Sequence, residues 1–437
     1  MESPVEPTFD PALEPTGKIP LLPWMTAAET RAVIAALTAE GAEVRFVGGC
    51  VRDSVLKRPI GDIDVATPDP PQKVIELLER AGIRAVPTGI DHGTVTAVVG
   101  EAHFEVTTLR VDVETYGRRA KVSFTDDWMA DAARRDFTIN TLSCTPEGDI
   151  FDPFGKGLGD LGNERVRFVG NARDRVEEDL LRLLRYFRFH ATYGRPPPDT
   201  DALAACRALA HRLPELSGER VRDELFLILL APAPADIALL MRGERVLDHV
   251  LPEAGDVGRL RAMAWLDSRA IKMETVLPDA LRRLGSLLDT DAAGAEAVAE
   301  RLRLSKAQKE RLTTLAVAPL DVTAGMSDYQ LRRALYRLGP DTVRDLALLY
   351  WARSLAVAPR QPRRKNEAWQ GILETAAAWT PLRFPLKGQD ALDLGVAAGP
   401  RVGALLEAVE EWWEEGDYRA DHAACLEKLG ALIDGGG

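Results

Sequence analysis

The sequence predicts an α+β protein, with a small mixed or antiparallel sheet in the N-terminal third and an all-helical remainder. Three observations carry this expectation. Strand-like runs rich in β-branched residues are concentrated before Pro153 and stop there. Within that region they outnumber the helical runs and follow one another closely, which argues against a doubly wound parallel sheet. From about residue 165 to residue 437 the chain is Leu- and Ala-rich, with apolar residues at helical spacing broken by Gly and Pro.

The elements can be justified in order. Residues 1–24 hold six prolines and read as an extended arm. TAAETRAVIAALTAEG (26–41) has the pattern of an amphipathic helix begun by a Thr cap, and VRFVGG (44–49) that of a short strand. GCVRDSVL opens a second helix, and DIDVAT (62–67) is a strand. PPQKVIELLERAG (70–82) is a helix that Gly82 ends. IRAVPTG, TVTAVVG and FEVTTLR are three further strands. Helical spacing then runs through RVEEDLLRLLRYFRFHATYG, LPDALRRLGSLL, SKAQKERLTTLAV, DYQLRRALYRLG and GPRVGALLEAVEEWW. Proline-rich joints at 195–198 and 357–362 mark boundaries. The expected division is an arm (1–24), an α/β head (25–165) and three helical parts (166–235, 236–360 and 361–437).

Composition narrows the function classes. A chain of 437 residues exceeds what one hydrophobic core usually organises, so two to four domains are expected. Hydrophobic residues make up 46% and charged residues 28%, as in soluble globular proteins. A formal net charge of −12 argues against coating nucleic acid by bulk attraction but leaves room for a local basic groove. Cys50, Cys144, Cys206 and Cys425 are far apart and form no CxxC pair, which fits a reducing compartment and no structural zinc. The acidic, proline-rich N-terminus lacks the apolar core of a signal peptide, and no run of 18 apolar residues occurs. A cytoplasmic protein without a membrane span is expected, as a monomer or a dimer.

The chemistry concentrates in RFVGGCVRDSVLKRPIGDIDVAT (45–67). Asp62 and Asp64 stand two residues apart on a strand, so both side chains leave one face about 6–7 Å apart. Alone, such a pair also fits a solvated strand end. Its neighbours favour a site. Gly48 and Gly49 follow a strand and open a helix carrying Arg52 and Asp53, so backbone amides can approach an anion. A phosphate cradle next to two hard oxygen ligands suits magnesium with a nucleoside triphosphate. Glu105 alternates with Phe104 and Val106, which turns it to the opposite face as a third acid on the sheet.

These residues carry a resemblance. GGCVRD followed by GDIDVAT resembles motif A of the polymerase-β-like nucleotidyltransferases, and more specifically the class II branch of tRNA CCA-adding enzymes and bacterial poly(A) polymerases. ARRDFTINTL (133–142) is similar to the family's ribose-recognising RRDFT-x-N-A motif, matching at Arg134, Arg135, Asp136 and Asn140, with Thr141 where Ala is usual. DPFGKGLGDL (152–161) resembles the DP-x-G-G-x-x-DL motif, one residue longer around Lys156. VEEDLLRLLRYFRF (176–189) matches the base-reading EDxxR motif at Glu178, Asp179 and Arg182, with Arg185 one turn on. Together the four motifs span about residues 44–190.

The resemblance implies a nucleotidyltransferase head followed by a helical neck, body and tail. An RNA 3′-hydroxyl would attack the α-phosphorus of CTP or ATP at a two-magnesium site held by Asp62 and Asp64, with Glu105 as a third contributor. Gly48, Gly49, Arg52, Asp53, Arg134, Arg135, Asp136, Asn140, Asp179, Arg182 and Arg185 would bind the nucleotide. On one continuous helix, Val176, Leu180, Leu183, Leu184, Phe187 and Ala191 form an apolar stripe, and Asp179 and Arg182 lie together beside it. A carboxylate accepts from cytosine N4 or adenine N6, and a guanidinium donates to cytosine N3 or adenine N1; guanine and uracil present the inverse pattern.

RVDVETYGRRAKVSF (110–124), with Gly117, Arg118 and Arg119, resembles the flexible loop the family uses in switching from C to A addition. LKGQDALDLGVAAGPRVGALLEAVEEWW resembles the family's C-terminal pattern, with Gly399, Pro400 and Gly403 shaping a helix start and close packing. The implied RNA partner is the acceptor and T arms of tRNA, held through Arg303, Lys306, Arg332, Arg333, Arg363, Arg364 and Lys365. Trp412 and Trp413 fit a core better than a stacking platform. Poly(A), A-only or CC-only addition remain alternatives of the same chemistry. The short ending KLGALIDGGG modestly favours the tRNA enzyme, and none of the six His precedes an Asp, which argues against a fused phosphohydrolase.

Overall fold

The computed structural model describes residues 14–116, 119–317 and 320–435. Its strands are β1 (Gly17–Lys18), β2 (Arg45–Val47), β3 (Ile63–Thr67), β4 (Arg84–Gly89), β5 (Thr94–Val99), β6 (Ala102–Thr108), β7 (Arg110–Tyr116), β8 (Arg119–Phe124), β9 (Ser143–Cys144) and β10 (Asp149–Phe151). Eight of them form one sheet in the order β1-β10-β9-β2-β3-β6-β5-β4, and β7 pairs with β8 in a separate ribbon. β3 and β6 run parallel while the other sheet neighbours are antiparallel, so the sheet is mixed, as the close spacing of strands predicts.

Alternation along the strands decides which side packs. Val65, Val95, Phe104 and Val106 are wholly buried, with Phe46 beside them on β2. The helix Pro71–Arg80 contributes Val74, Leu77 and Leu78 to the core, and the helix Ala28–Leu37 contributes Val33, Ala36 and Leu37. Gly82, at φ 71°, ends the first of these in the left-handed conformation that its lack of a Cβ permits.

Two local expectations need correction. Residues 17–24, read as part of a free arm, are built into the head. β1 pairs with β10, the Lys18 ammonium lies 2.9 Å from the Asp149 carboxylate, and the Trp24 indole donates to Ser54 Oγ and packs edge-on against Phe46. Prolines disfavour interior strands, but a two-residue strand on a sheet edge escapes that penalty. Thr26 does not cap the following helix; its hydroxyl donates to the carbonyls of Leu22 and Pro23, and Ala27 takes the cap position.

The chain divides into two compact units: Met1–Ala254 with Arg301–Arg303, and Gly255–Glu300 with Leu304–Gly437. Among its described residues, the regular elements of the second are all helices. One of its cores gathers Leu266, Val343, Leu346, Leu348, Trp351 and Trp369. Beside it lies a buried ionic network, in which Asp345 accepts from Arg282 and Arg311, and Asp267 from Arg283. A second core contains Trp413, with Trp412 packed against it, as the spacing with Leu405 and Val409 predicts. Gly399 starts the helix Pro400–Glu415 at φ 154°, but a Cβ on Gly403 would meet nothing within 4 Å, so close packing does not explain that glycine. No helix among the described residues is long and apolar enough to cross a membrane.

Candidate active site

The carboxylates come first, because strand register places them. On the parallel pair β3–β6, Asp64 stands directly beside Glu105. Val65 and its neighbour Val106 are buried on one face, whereas Asp64 is half-buried and Glu105 exposed, so the two acids share the other face. Burial first, then the neighbouring Glu105, pushes the Asp64 carboxyl up to about 6. Arg135 and Arg52 act in the other direction, and Asp62, exposed just before β3, adds to the rise. A carboxyl raised by burial and by a neighbouring acid is one that a divalent cation would return to its ionised form. Among the described residues no three His, Cys, Asp or Glu side chains converge as a metal cage. Magnesium needs none, since it commonly uses one or two carboxylates and completes its sphere with water and phosphate oxygens.

Arginines line the same cavity as the acids. Gly48 turns from β2 into the helix Gly49–Val55 at φ 71°, and an added Cβ would lie 3.4 Å from Asp64 Oδ2 and 3.5 Å from Arg135 Nη1. Any other residue would be strained at this positive φ, and its Cβ would stand in contact with both charged groups. Arg134 and Arg135 are both oriented by Asp131, a residue 4% exposed whose carboxylate receives Arg134 Nε at 2.9 Å and Arg135 Nη2 at 3.2 Å. Burial raises the Asp131 carboxyl, but the two guanidinium groups outweigh it and hold the acid below its usual range.

Asp136 performs the same office for the next group. Its Oδ1 accepts from the Phe137 amide and from Asn140 Nδ2, both at 2.9 Å, and its Oδ2 accepts from Arg185 Nε at 2.8 Å. Burial again works against ionisation, and Arg185 with the hydrogen bonds reverses the outcome. Asp152 and Asp160 of the motif at 152–161 are structural. Asp152 accepts from the Gly157 and Leu158 amides, and Asp160 from the Thr138 hydroxyl and Arg167.

The segment expected to read the base departs from its predicted conformation. No continuous helix crosses it: one helix covers Ala172–Glu178 and another Leu181–Tyr193, with Asp179 extended at φ −142°, ψ 105° between them. Asp179 and Arg182 therefore do not pair as helical neighbours. The Asp179 carboxylate accepts from the Leu181 amide at 3.2 Å and is clasped by Arg220 Nη2 at 3.0 and 2.9 Å. Arg182 donates to Glu178 Oε2 at 2.7 Å and to the carbonyls of Arg175 and Arg134. The apolar stripe survives the break because Val176, Leu180, Leu183, Leu184 and Phe187 all remain buried. Each polar group keeps spare capacity, since a carboxylate has about four acceptor positions and a guanidinium five N–H donors.

These groups line one cavity of about 430 Å³, whose wall includes Gly48, Gly49, Arg52, Asp64, Glu105, Arg134, Arg135, Asp136, Asn140, Asp179, Arg182 and Arg185. Asp53 and Asp62 stand outside the lining; Asp53 instead receives Arg52 at 2.8 Å. A larger cavity of about 490 Å³ lies around Arg167, Asn171 and Asp199 but contains none of the expected residues, and the smaller one gathers the charge. Thr94, Thr107, Arg110 and Phe189 join the wall without having been expected. Nor were the orienting residues Asp131 and Arg220 foreseen. A lone acid one turn before an Arg pair was a usable signal for Asp131; none existed for Arg220, 41 residues from its partner. Arg118 lies outside the described residues, as does the Arg119 side chain, although the Arg119 backbone pairs with Tyr116 in the ribbon.

The expected RNA contacts vary in their engagement. Lys306 is 92% exposed, 3.9 Å from Glu310, while Arg303 and Arg364 are exposed. Arg363 donates to Glu367 and Lys365 to Ser354, both at 2.7 Å. Arg332 holds Asp417 with two bonds and Arg333 reaches Glu414 at 3.3 Å, so these two serve the second unit's own structure.

Comparison with known proteins places the chain in a family. Residues 44–167 match the family model described as "Poly A polymerase head domain", and residues 198–256 that described as "Probable RNA and SrmB- binding site of polymerase A". The mitochondrial CCA tRNA nucleotidyltransferase 1 of Danio rerio is 32% identical over 401 residues, covering 89% of this chain and 87% of that protein. The CCA-adding enzyme of Limosilactobacillus fermentum is 30% identical over 411 residues, 92% and 96% of the two chains. In fold, the chain resembles the Bacillus stearothermophilus CCA-adding enzyme solved in complex with CTP, with a TM-score of 0.74, 24% identity and coverage of 94% and 98%. It also resembles the Thermotoga maritima CCA-adding enzyme complexed with tRNA, with a TM-score of 0.59 at 19% identity, covering 92% and 94%.

Proposed function

The chain belongs to the class II CCA-adding tRNA nucleotidyltransferases, and on that premise we propose how its site adds CCA to tRNA 3′ ends from CTP and ATP. The observation that carries the reading is the cavity itself, which gathers Asp64 and Glu105 with Arg52, Arg134, Arg135, Arg182 and Arg185 in one lining. A triphosphate brings about four negative charges, and Arg52, Arg134 and Arg135 supply the matching field. Magnesium bound by Asp62 and Asp64, with Glu105 contributing, would supply the charge neutralisation that lets an RNA 3′-hydroxyl displace pyrophosphate from the α-phosphorus. The chain's own residues do the rest. Asp131 orients the two arginines, Gly48 leaves the space between Asp64 and Arg135 open, and Asp136 holds Asn140 for the ribose.

The incoming base would be read by Asp179 and Arg182, each pre-oriented by its own partner rather than by the other. That arrangement supports selection of cytosine and adenine, because both groups retain unused hydrogen-bonding capacity toward the cavity. Arg182→Ala is expected to lower kcat/KM for CTP and ATP by roughly 10- to 200-fold and to narrow their advantage over UTP. Incorporation of each NTP onto tRNA ending in CC or at the discriminator base measures this; an unchanged ratio to UTP would remove Arg182 from base reading.

Arg363, Arg364 and Lys365 support phosphate contact for a physical reason. They occupy the first turn of the helix Arg363–Ala377, where cations oppose the macrodipole, the turn itself holds no acid, and only Arg363 is paired with an acid, Glu367 one turn on. Such an unfavourable placement suits a surface that meets RNA phosphates, and Arg303 and Lys306 are proposed contacts on the same ground of exposure. The four cysteines are all buried and free, and a reducing, cytoplasmic setting is proposed. The decisive experiment supplies magnesium, each NTP alone and mixed, and tRNAs ending at the discriminator base, at C or at CC. Completed CCA ends support the reading, and long A tails or A addition to CC ends alone would move it to the sister activities.

A further inference from the structure

The helix Leu181–Tyr193 presents Arg182, Arg185 and Phe189 to the nucleotide cavity at three- and four-residue spacing, and Tyr193 continues that face one turn further. Tyr193 does not line the cavity. It closes around Arg52, which does, and which is 8% exposed. Arg52 Nη2 donates to the Tyr193 hydroxyl at 2.6 Å, and the guanidinium carbon lies 4.1 Å from the centre of the Tyr193 ring. The same hydroxyl donates to Asp53 Oδ2 at 3.4 Å, and Asp53 receives Arg52 through Nε at 3.2 Å and Nη2 at 2.8 Å. Phe189 covers the guanidinium more distantly, at 5.4 Å.

The remaining arm of Arg52 explains what this clamp achieves. Nη1 donates to Asn140 Oδ1 at 2.7 Å, and the opposite end of that carboxamide donates to Asp136 Oδ1 at 2.9 Å. A carboxamide between a guanidinium and a carboxylate has only one satisfied orientation, with oxygen toward the first and NH₂ toward the second. Release of Arg52 would free the Asn140 amide to rotate and to lose the polarity it presents. A ribose 2′-hydroxyl both donates and accepts, so it senses that orientation, whereas a deoxyribose does not.

We propose that Tyr193 is a positioning residue for sugar selection: by gripping Arg52 it fixes the Asn140 carboxamide and thereby sets the preference for ribonucleotides over deoxyribonucleotides. The proposal rests on the nucleotidyltransferase reading of the cavity and adds to it a residue outside the recognised motifs. Tyr193 reaches the nucleotide only through Arg52 and Asn140, so its effect should be graded. Loss of the hydroxyl alone leaves the ring over the guanidinium, and loss of the ring removes both holds.

The test measures binding of CTP and 2′-deoxy-CTP to the full chain by calorimetry, for wild type, Tyr193→Phe and Tyr193→Leu, with each variant's melting temperature. The wild type is expected to bind CTP more tightly. The ratio of the two affinities should fall by ~3- to 10-fold in Tyr193→Phe and by ~10- to 50-fold in Tyr193→Leu, mainly through weaker CTP binding. A merely structural role would weaken both nucleotides equally and leave the ratio unmoved in both variants, which overturns the proposal. So does a wild type that binds the two alike. Wild-type addition of C to tRNA, run in parallel, reports on the functional reading separately: binding selectivity that depends on Tyr193 without any addition would support the clamp and refute the activity.

Discussion

Asp64→Asn is expected to abolish nucleotide addition while making the protein more stable. The activity should fall by at least ~10³-fold, because the substitution removes a carboxylate from the proposed magnesium-binding edge without changing its shape. The stability gain follows from the raised acid. Asp64 titrates at about 6 in the folded chain against an ordinary value of 3.8. The folded state thus holds its proton more tightly than the unfolded state, and ionising it costs stability progressively as pH rises from about 4 to 6. Wholly buried, a difference of that size would correspond to about 3 kcal/mol, and water around the half-exposed carboxylate reduces it to about 1–2 kcal/mol. In chelator at pH 7.5, the Asp64→Asn substitution should raise the melting temperature by about 2–6 °C, and at pH 4 by nothing measurable. Added magnesium should narrow the gap by stabilising the wild type alone. Equal melting temperatures at pH 7.5 would mean that burial and Glu105 do not raise the Asp64 carboxyl, and retained addition activity would remove Asp64 from the chemistry.

Asp136→Ala should have the second largest effect, of the opposite sign in stability. The side chain is 8% exposed and is the common acceptor for Phe137 N, Asn140 and Arg185. Its removal leaves a largely buried guanidinium and a carboxamide without their partner, which costs about 2–4 kcal/mol. Because Asn140 and Arg185 both line the cavity, kcat/KM for CTP and ATP should also fall, by roughly 10²-fold. The pH dependence runs opposite to that of Asp64. Here the folded acid lies below 3.8, so its contribution is present above about pH 4 and is lost as pH falls through the folded value. The difference in stability between wild type and Asp136→Ala should therefore be full at pH 7 and shrink toward pH 3 in urea titrations. A variant within about 0.5 kcal/mol of wild type, with both nucleotides used normally, would show that this hub is dispensable.

The contrast between Asp64 and Asp136 illustrates what could be read from residue order. Both are acids in short motifs, and the motifs alone placed both at a nucleotide site. Alternation along β3 and β6 was sufficient to put Asp64 and Glu105 on one face, since a strand's period of two leaves no other choice. Which strand lay beside which was not legible; the parallel pairing of β3 with β6 brings Asp64 against Glu105 and raises its acid. The same limit applied to Asp131 and Arg220, whose importance lies in what they hold.

The Glu178–Asp179–Arg182 segment shows the limit most clearly. Helical periodicity ran unbroken through it, and the apolar stripe is real, yet the backbone extends at Asp179 and restarts two residues later. Local propensity does not see the Arg220 guanidinium, which rewards the carboxylate for leaving the helix. By itself the sequence determined the fold class, the family and the identity of most residues that line the cavity, because those depend on side-chain period and on motifs within short reach. Tertiary structure alone decided the protonation of Asp64, the clasp of Arg220 on Asp179, and the grip of Tyr193 on Arg52. The last two depend on distances between groups 41 and 141 positions apart, and chain entropy leaves such distances undefined until the core has closed.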